Sequence, residues 1–450
     1  MFLSRAPRRA VAANALLAGV LAAVPLLFLD ARVAADWTRV GNPPGLGSGR
    51  IWSLAINPAN ASNAITGTDN GVYTTSDAGV TWAPTPIKGV RVWAVGFDAR
   101  APHVEMAALA GGGVRRSDDG GATWSDASVG LTNRNVRALA FGLSAVAAGT
   151  ADGVFVSEDG KTWRSAGLGG YSISTLAVAA NTPAFTLVAG SDGGSVGLQS
   201  GFLFRNAGPG PQWETLQQGL PATAVVSSVA AGPVPASTKI RPLVVITNKG
   251  TFFSGDGGTT WTSSTGPNAD PTNTQPLQLT TAVFSALDPN LVYAGFDSTG
   301  SSGGSLLRST DSGKTFADAA KGLSDQQRNI AAIAVATANP PQLLAGIDPA
   351  SGPSVVVSET DSTAPVPAAI IAEGTAPPPA TPTPTPSIRA TPTPAPTLAA
   401  PPDERSWLRR GVDRATNWPI PLAMEVFVVI AAAYLVVRWR QQRFDVEGPP

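Results

Sequence analysis

An eight-residue turn signature recurs through this chain and fixes what the chain can become. It reads TSDAGVTW at Thr75–Trp82, SDDGGATW at Ser117–Trp124, SGDGGTTW at Ser254–Trp261 and STDSGKTF at Ser309–Phe316. A fifth copy, SEDGKTW at Ser157–Trp163, is one residue short, and Arg205–Trp213 and Ser358–Ser362 carry eroded forms. Each residue type has a mechanical task in a tight hairpin. The carboxylates of Asp77, Asp119, Asp159, Asp256 and Asp311 can accept hydrogen bonds from backbone N–H groups of their own turn, the leading Ser or Thr hydroxyl can do the same, and Gly supplies positive φ. Trp82, Trp124, Trp163, Trp261 and Phe316 then open the next strand as large apolar plugs.

The spacing of the copies sets the architecture. With Trp37 and Trp213 included, successive plug aromatics lie 39 to 55 residues apart, the interval of a four-stranded sheet in a radial repeat. Two short apolar runs precede each signature, as in IWSLAINP then AITGT, or VRALAFG then AVAAGT, which suits strands buried on both faces between neighbouring sheets. Seven plugs predict an all-β, seven-bladed β-propeller of four-stranded antiparallel blades. The last unit, ending in SVVVSET near Ser358, lacks a fourth strand, and WTRVG at Trp37–Gly41 has no blade of its own. The N-terminal strand is therefore expected to complete the last blade and remove the exposed sheet edges.

The signature resembles the Asp-box, or BNR, repeat of sialidases, sortilin-type receptors and photosystem II assembly factors, over residues 36–363. In such propellers the inner strand starts on the face where ligands enter. The resemblance therefore puts the signature turns on the opposite face and gives their aspartates a structural role, with no catalytic residue among them. The absence of Cys separates the chain from the disulfide-bonded sortilin-type ectodomains. A sialidase would carry an F-R-I-P-like motif, an arginine triad and a Tyr nucleophile with a Glu partner. GRIW at Gly49–Trp52 matches only the Arg-Ile pair, and Tyr171, the one tyrosine placed to face a pocket, has no adjacent Glu. Assembly factors of this class are seven-bladed, non-catalytic, sit on the export side of a membrane and bear an arginine-rich patch, which is the mode closest to this chain.

Arginines gather where the inner strands of four blades should begin. They are Arg50 in blade one, Arg91 in blade two, Arg134 and Arg137 in blade three, and Arg328 in blade seven, whereas blades four to six carry GGYSIS, PATAVVSS and QPLQLTT there. Ring closure would make one arc of them. Planar guanidinium groups recognise carboxylate or phosphate in bidentate fashion, so the arc is a candidate ligand-binding site for a protein or anionic partner. The competing reading is internal pairing with Asp69, Asp152, Asp192, Asp297 and Asp348, which fall in the hairpins of the same face.

Composition narrows the alternatives. Lys and Arg total 31 against 31 Asp and Glu, and residues 36–363 are slightly acidic, so a nucleic-acid partner is not expected. With no Cys and one histidine, His103, placed in a turn, neither a metal site nor a Ser-His-Asp triad has material. No cofactor is expected, because the glycine clusters lack the helix and Lys of a phosphate cradle.

The flanks point to a membrane. Residues 1–35 hold Arg5, Arg8 and Arg9 ahead of an apolar stretch at 10–29, the layout of a signal peptide cut near Val33-Ala34-Ala35 or of a retained anchor. Residues 364–402 form a Pro/Thr-rich stalk, 403–417 a juxtamembrane segment, 418–437 a transmembrane helix containing Glu425, and 438–450 a cytoplasmic tail. The N-terminal arginines set the orientation, with the propeller on the extracytoplasmic side of the cell membrane. The expected function is a membrane-tethered, non-catalytic binding or assembly scaffold. The alternative is a surface-anchored, sialidase-like glycoside hydrolase.

Overall fold

Seven antiparallel four-stranded sheets stand around a common axis in a computed structural model of the chain. It describes residues 38–41, 43, 49–181, 185–192, 202–206, 211–266, 278–297, 306–320, 323, 329–348 and 354–372. All of them belong to one unit, residues 1–379; a second, 380–450, lies outside them. Blade one runs outward from the axis as Ile51–Asn57, Asn60–Thr68, Gly71–Thr75 and Ala83–Lys88. Blade two follows as Val92–Asp98, Ala101–Leu109, Gly113–Ser117 and Ser125–Asp126. Blades three to six begin with inner strands Val136–Phe141, Ile173–Ala180, Val226–Ala231 and Gln278–Phe284. Blade seven is Ile330–Val335, Gln342–Ile347 and Val355–Thr360, and its outer strand is Thr38–Gly41, which pairs Thr38 with Ser358. The expected closure by the N-terminal strand is therefore present. Stretches 10–29 and 418–437 and residue Arg328 lie outside the described residues, among which no helix is long and apolar enough to cross a membrane.

The signature turns are closed by hydrogen bonds that repeat from blade to blade. In blade one the Thr75 hydroxyl donates to Asp77 Oδ1 at 2.7 Å and accepts from Gly79 N at 3.0 Å, while Thr81 donates to Asp77 through both its N–H (2.8 Å) and its hydroxyl (2.6 Å). Ser117, Asp119, Gly121 and Thr123 repeat this, as do Ser254, Asp256, Gly258 and Thr260, and Ser309, Asp311, Gly313 and Thr315. The short copy keeps Asp159 as acceptor from Ser157, Lys161 N and Thr162 N. Donated hydrogen bonds favour the ionised carboxylate. Those from the Thr81 hydroxyl and N–H hold Asp77 down at about 2, and those from Thr123 do the same for Asp119. These aspartates are thus occupied in holding turns.

The core is divided among the blade junctions. Among the described residues buried apolar side chains form seven clusters, each between consecutive blades. Each plug aromatic packs toward the blade before its own: Trp82 joins the cluster between blades seven and one, Trp163 that between two and three, Trp261 that between four and five, and Phe316 that between five and six. Their backbone N–H groups reinforce the same seams, with Trp163 N donating to Val129 O at 2.7 Å, Trp261 N to Gln218 O at 2.9 Å and Phe316 N to Thr265 O at 2.8 Å. Each such bond contributes about 1 kcal/mol, and burying each large plug contributes more. Blades seven and one close through Ile51 and Leu54 packed on Ala332, Leu344 and Val356.

After blade seven the chain continues as a strap. Asp361, 2% exposed, accepts hydrogen bonds from the Tyr293 hydroxyl at 2.6 Å, from Arg308 Nη1 at 2.8 Å and from Thr363 Oγ1 at 2.8 Å. These three donors overcome burial and keep its carboxyl below the ordinary range, while burial and the Asp361 charge push the Tyr293 hydroxyl up. Tyr293 and Arg308 belong to blade six. Farther on, Ala236 N donates to Ala369 O at 2.9 Å and Ile371 N to Val234 O at 2.8 Å, joining the strap to blade five. Residues 364–371, which the Pro-rich composition assigns to the stalk, thus lie on the ring because Asp361 moors the segment that precedes them.

Candidate functional site at the mouth of the ring

Every inner strand is bulged at the same place. Its register with the second strand skips one residue, between Ile51 and Ser53 in blade one, Val92 and Ala94 in blade two, and Val136 and Ala138 in blade three, with the corresponding skip in blades four to seven. A bulge re-aims the skipped side chain. Those residues are Trp52, Trp93 and Arg137 in blades one to three, and Ser174, Ser227 and Ala331 in blades four, five and seven. The mouth is therefore lopsided, with two indoles and a guanidinium on one arc and small residues opposite.

The large residues interleave with arginines. Trp52 and Trp93 meet edge to face with ring centroids 4.6 Å apart. The Arg91 guanidinium lies 4.8 Å from the Trp52 ring and 5.0 Å from the Trp93 ring, Arg50 lies 4.8 Å from Trp52, and Arg137 lies 5.8 Å from Trp93. Each cation–aromatic contact contributes about 0.5 to 2 kcal/mol according to its desolvation. Asp69, in the hairpin between the second and third strands of blade one, moors the group. It accepts from Arg50 N (3.0 Å), Trp52 Nε1 (2.8 Å) and Arg91 Nε (2.6 Å). Burial opposes ionisation of this carboxyl, but those donors hold it below the ordinary carboxylate range.

Carboxylates from the neighbouring hairpins pair with the other arginines. Arg50 Nε lies 3.0 Å from Asp348 Oδ2 of blade seven, which also accepts from Ile51 N and from Ser354. Arg137 donates to Asp192 and to the Ser172 hydroxyl of blade four. Internal pairing and clustering thus hold together: Arg50, Arg91 and Arg137 are brought side by side, each beside one aspartate. Arg134 turns away, donating to Asp126 Oδ2 at 2.7 Å on the outer strand of blade two. Asp152 accepts from Gly170 N instead of an arginine. Arg91 keeps the most open guanidinium edge. It is moored through Nε, its side chain is 44% exposed, and among the described residues neither Nη donates a hydrogen bond.

Sequence reasoning missed Trp52 and Trp93 as members of the site. The signal was present as Arg-x-Trp at Arg50-Ile51-Trp52 and again at Arg91-Val92-Trp93. On a regular strand that spacing puts both side chains on one face. The bulge and the stacking across two blades are tertiary and have no local mark.

No known protein family matches the chain by sequence, and no curated protein matches it. Solved structures match it by fold. A structure described as "YCF48 bound to D1 peptide" is 19% identical over 72% of this chain and 96% of its own, with a TM-score of 0.51. "YCF48 from Cyanidioschyzon merolae" is 16% identical over 72% of this chain and 98% of its own, with a TM-score of 0.49. A GH74 xyloglucanase from Xanthomonas campestris is 14% identical over 70% of this chain and 59% of its own, with a TM-score of 0.45. At these identities the likeness is one of fold, and the chain is a seven-bladed β-propeller.

Proposed function

We propose that this chain is a propeller of the Asp-box class, held at a membrane on the extracytoplasmic side, whose ring mouth binds an acidic or C-terminal segment of a protein partner. The observation that carries the reading is Arg91: stacked against Trp52 and Trp93 and moored through Nε by Asp69, it offers its Nη edge to solvent. A planar fork fixed in advance loses little entropy when it takes a carboxylate, and the two indoles offer flat apolar surface to the neighbouring peptide. A structure of the same fold, the YCF48 named above, is solved with a peptide bound, which supports a peptide as the occupant. Binding is favoured over hydrolysis because Asp69, Asp192 and Asp348 at the mouth are each paired with an arginine, and Asp69 is held ionised, unfit to act as a general acid. The tether rests on the apolar stretches at 10–29 and 418–437.

The test is a titration of fluorescein-labelled peptides with free or amidated C-termini. Saturable binding that weakens at least tenfold on amidation, and is lost in the Arg50→Ala/Arg91→Ala double variant, supports the reading. Turnover of a glycan panel by the wild-type protein would overturn it in favour of a hydrolase. Proximity labelling from the intact cell surface identifies the partner and checks the orientation.

A further inference from the structure

Glu105 breaks the pattern of the seven blades. It lies on the second strand of blade two, opposite Ser117, the residue that opens the signature turn. The same register position holds Ala64 in blade one, Val146 in blade three, Leu243 in blade five, Val292 in blade six and Leu344 in blade seven, all buried. Glu105 is 5% exposed, yet its Oε2 is shut away from solvent with no hydrogen-bond partner. An unpaired buried carboxyl costs stability that an aliphatic side chain would not.

The residue lines a crevice of about 430 Å³ between blades one and two. The strand order places this crevice at the end of the blades that carries the signature turns, away from Arg91. Asn63 and Thr74 of blade one line it, and His103 alternates onto the same side of the strand as Glu105. Asn57 ties the blades together beside it by donating to Pro102 O at 2.7 Å. No Lys or Arg is among the described residues lining the crevice, so its carboxylate, amide and hydroxyl oxygens face no internal cation.

We propose that this crevice binds a guanidinium group, such as the end of an arginine side chain presented by a partner polypeptide, with Glu105 as its counter-charge. A guanidinium supplies directed N–H donors to the Glu105 carboxylate as that side chain turns into the crevice, and pairing would return the carboxylate to its ionised form. Burial, reinforced by the charge of Asp119, pushes the empty site's carboxyl up to about 7, so occupation near neutral pH releases a proton. The titratable groups around it are His103 on its own strand and Asp119 in the adjoining turn; Asn63 and Thr74 line the crevice from blade one without charge. The inference is independent of the site at the ring mouth.

The test uses N-acetyl-arginine methylamide as probe, followed by calorimetry in two buffers of different ionisation enthalpy. N-acetyl-norleucine methylamide, N-acetyl-glutamate methylamide and glucose serve as controls. The expected result is saturable binding of the arginine probe alone, with proton release at pH 7, weakened at least tenfold in Glu105→Gln and absent in Glu105→Leu. Both variants should keep the wild-type circular dichroism spectrum, and Glu105→Leu should melt no lower than wild type. Absence of saturable binding, equal binding of the norleucine probe, preference for glucose or the glutamate probe, or unchanged affinity in Glu105→Gln would each overturn the proposal.

Discussion

Replacing Glu105 by leucine, the residue that Leu243 and Leu344 supply at the same register in blades five and seven, should stabilise the protein in a pH-dependent way. The Glu105 carboxyl titrates near 4.5 in an unfolded chain and near 7 in the folded one, chiefly because burial disfavours its charge and secondarily because Asp119 repels it. Below pH 4.5 both states carry the proton and the glutamate incurs no ionisation penalty. Between pH 4.5 and 7 the unfolded chain ionises while the folded one stays protonated, so stability falls as pH rises, and above pH 7 the whole penalty is present. A gap of about 2.5 pKa units at roughly 1.4 kcal/mol each makes that penalty roughly 3 to 4 kcal/mol. Guanidinium chloride unfolding of wild type and Glu105→Leu at pH 4.5, 6 and 8 measures it. The stability advantage of the variant should widen by about 3 kcal/mol across the series, at unchanged m-value. His103 and Asp119 are common to both proteins and largely cancel in the difference. An advantage that stays constant from pH 4.5 to 8 would show that Glu105 is not desolvated in the folded ring and refute the reasoning.

Asp69→Asn keeps the shape of the mooring residue but removes its charge, and should cost about 2 kcal/mol in thermal unfolding while reddening the tryptophan emission as Trp52 and Arg91 loosen. An unshifted spectrum would count against the mooring. Asp256→Ala removes the acceptor for Thr260 N and Thr260 Oγ1 in the turn of blade five, and should cost about 2 kcal/mol and expose that turn to limited proteolysis without changing peptide binding at the mouth. Gly219→Ala should cost on the order of 3 kcal/mol by chemical denaturation, since φ there is +94° and an added Cβ would stand 2.0 Å from Trp261 O across the seam between blades. A loss below about 1 kcal/mol would mean that the seam can shift to accommodate it.

The fold was legible because its information is local and repeated. Ser254-Gly255-Asp256-Gly257-Gly258 carries in consecutive residues everything its turn needs, and the missing fourth strand of the last unit pointed to Thr38–Gly41 as the closing strand. The arc of Arg50, Arg91 and Arg137 could be read once ring closure was assumed, since position within a blade follows from the period. What could not be read depends on neighbours from other blades. Trp52 and Trp93 look like ordinary buried strand residues until the bulge brings them together around Arg91. Glu105 looks like a surface glutamate in VEMAALA, because only the register opposite Ser117 reveals that its counterparts are aliphatic. Asp361 reads as a worn copy of the turn signature, and its partners Tyr293 and Arg308 are more than fifty residues away.

The strap after blade seven decides how the ring would bear tension. A pull on the C-terminal end first meets the two backbone bonds at Val234 and Ala236, which open one at a time and yield at low load. The force then reaches the charged clasp of Asp361 on Tyr293 and Arg308. Only when that clasp fails would strain pass into Val355–Thr360, a strand gripped on both sides by Gln342–Ile347 and Thr38–Gly41. The sacrificial segment would thus act as a mechanical fuse, slackening before the weld that keeps the annulus whole.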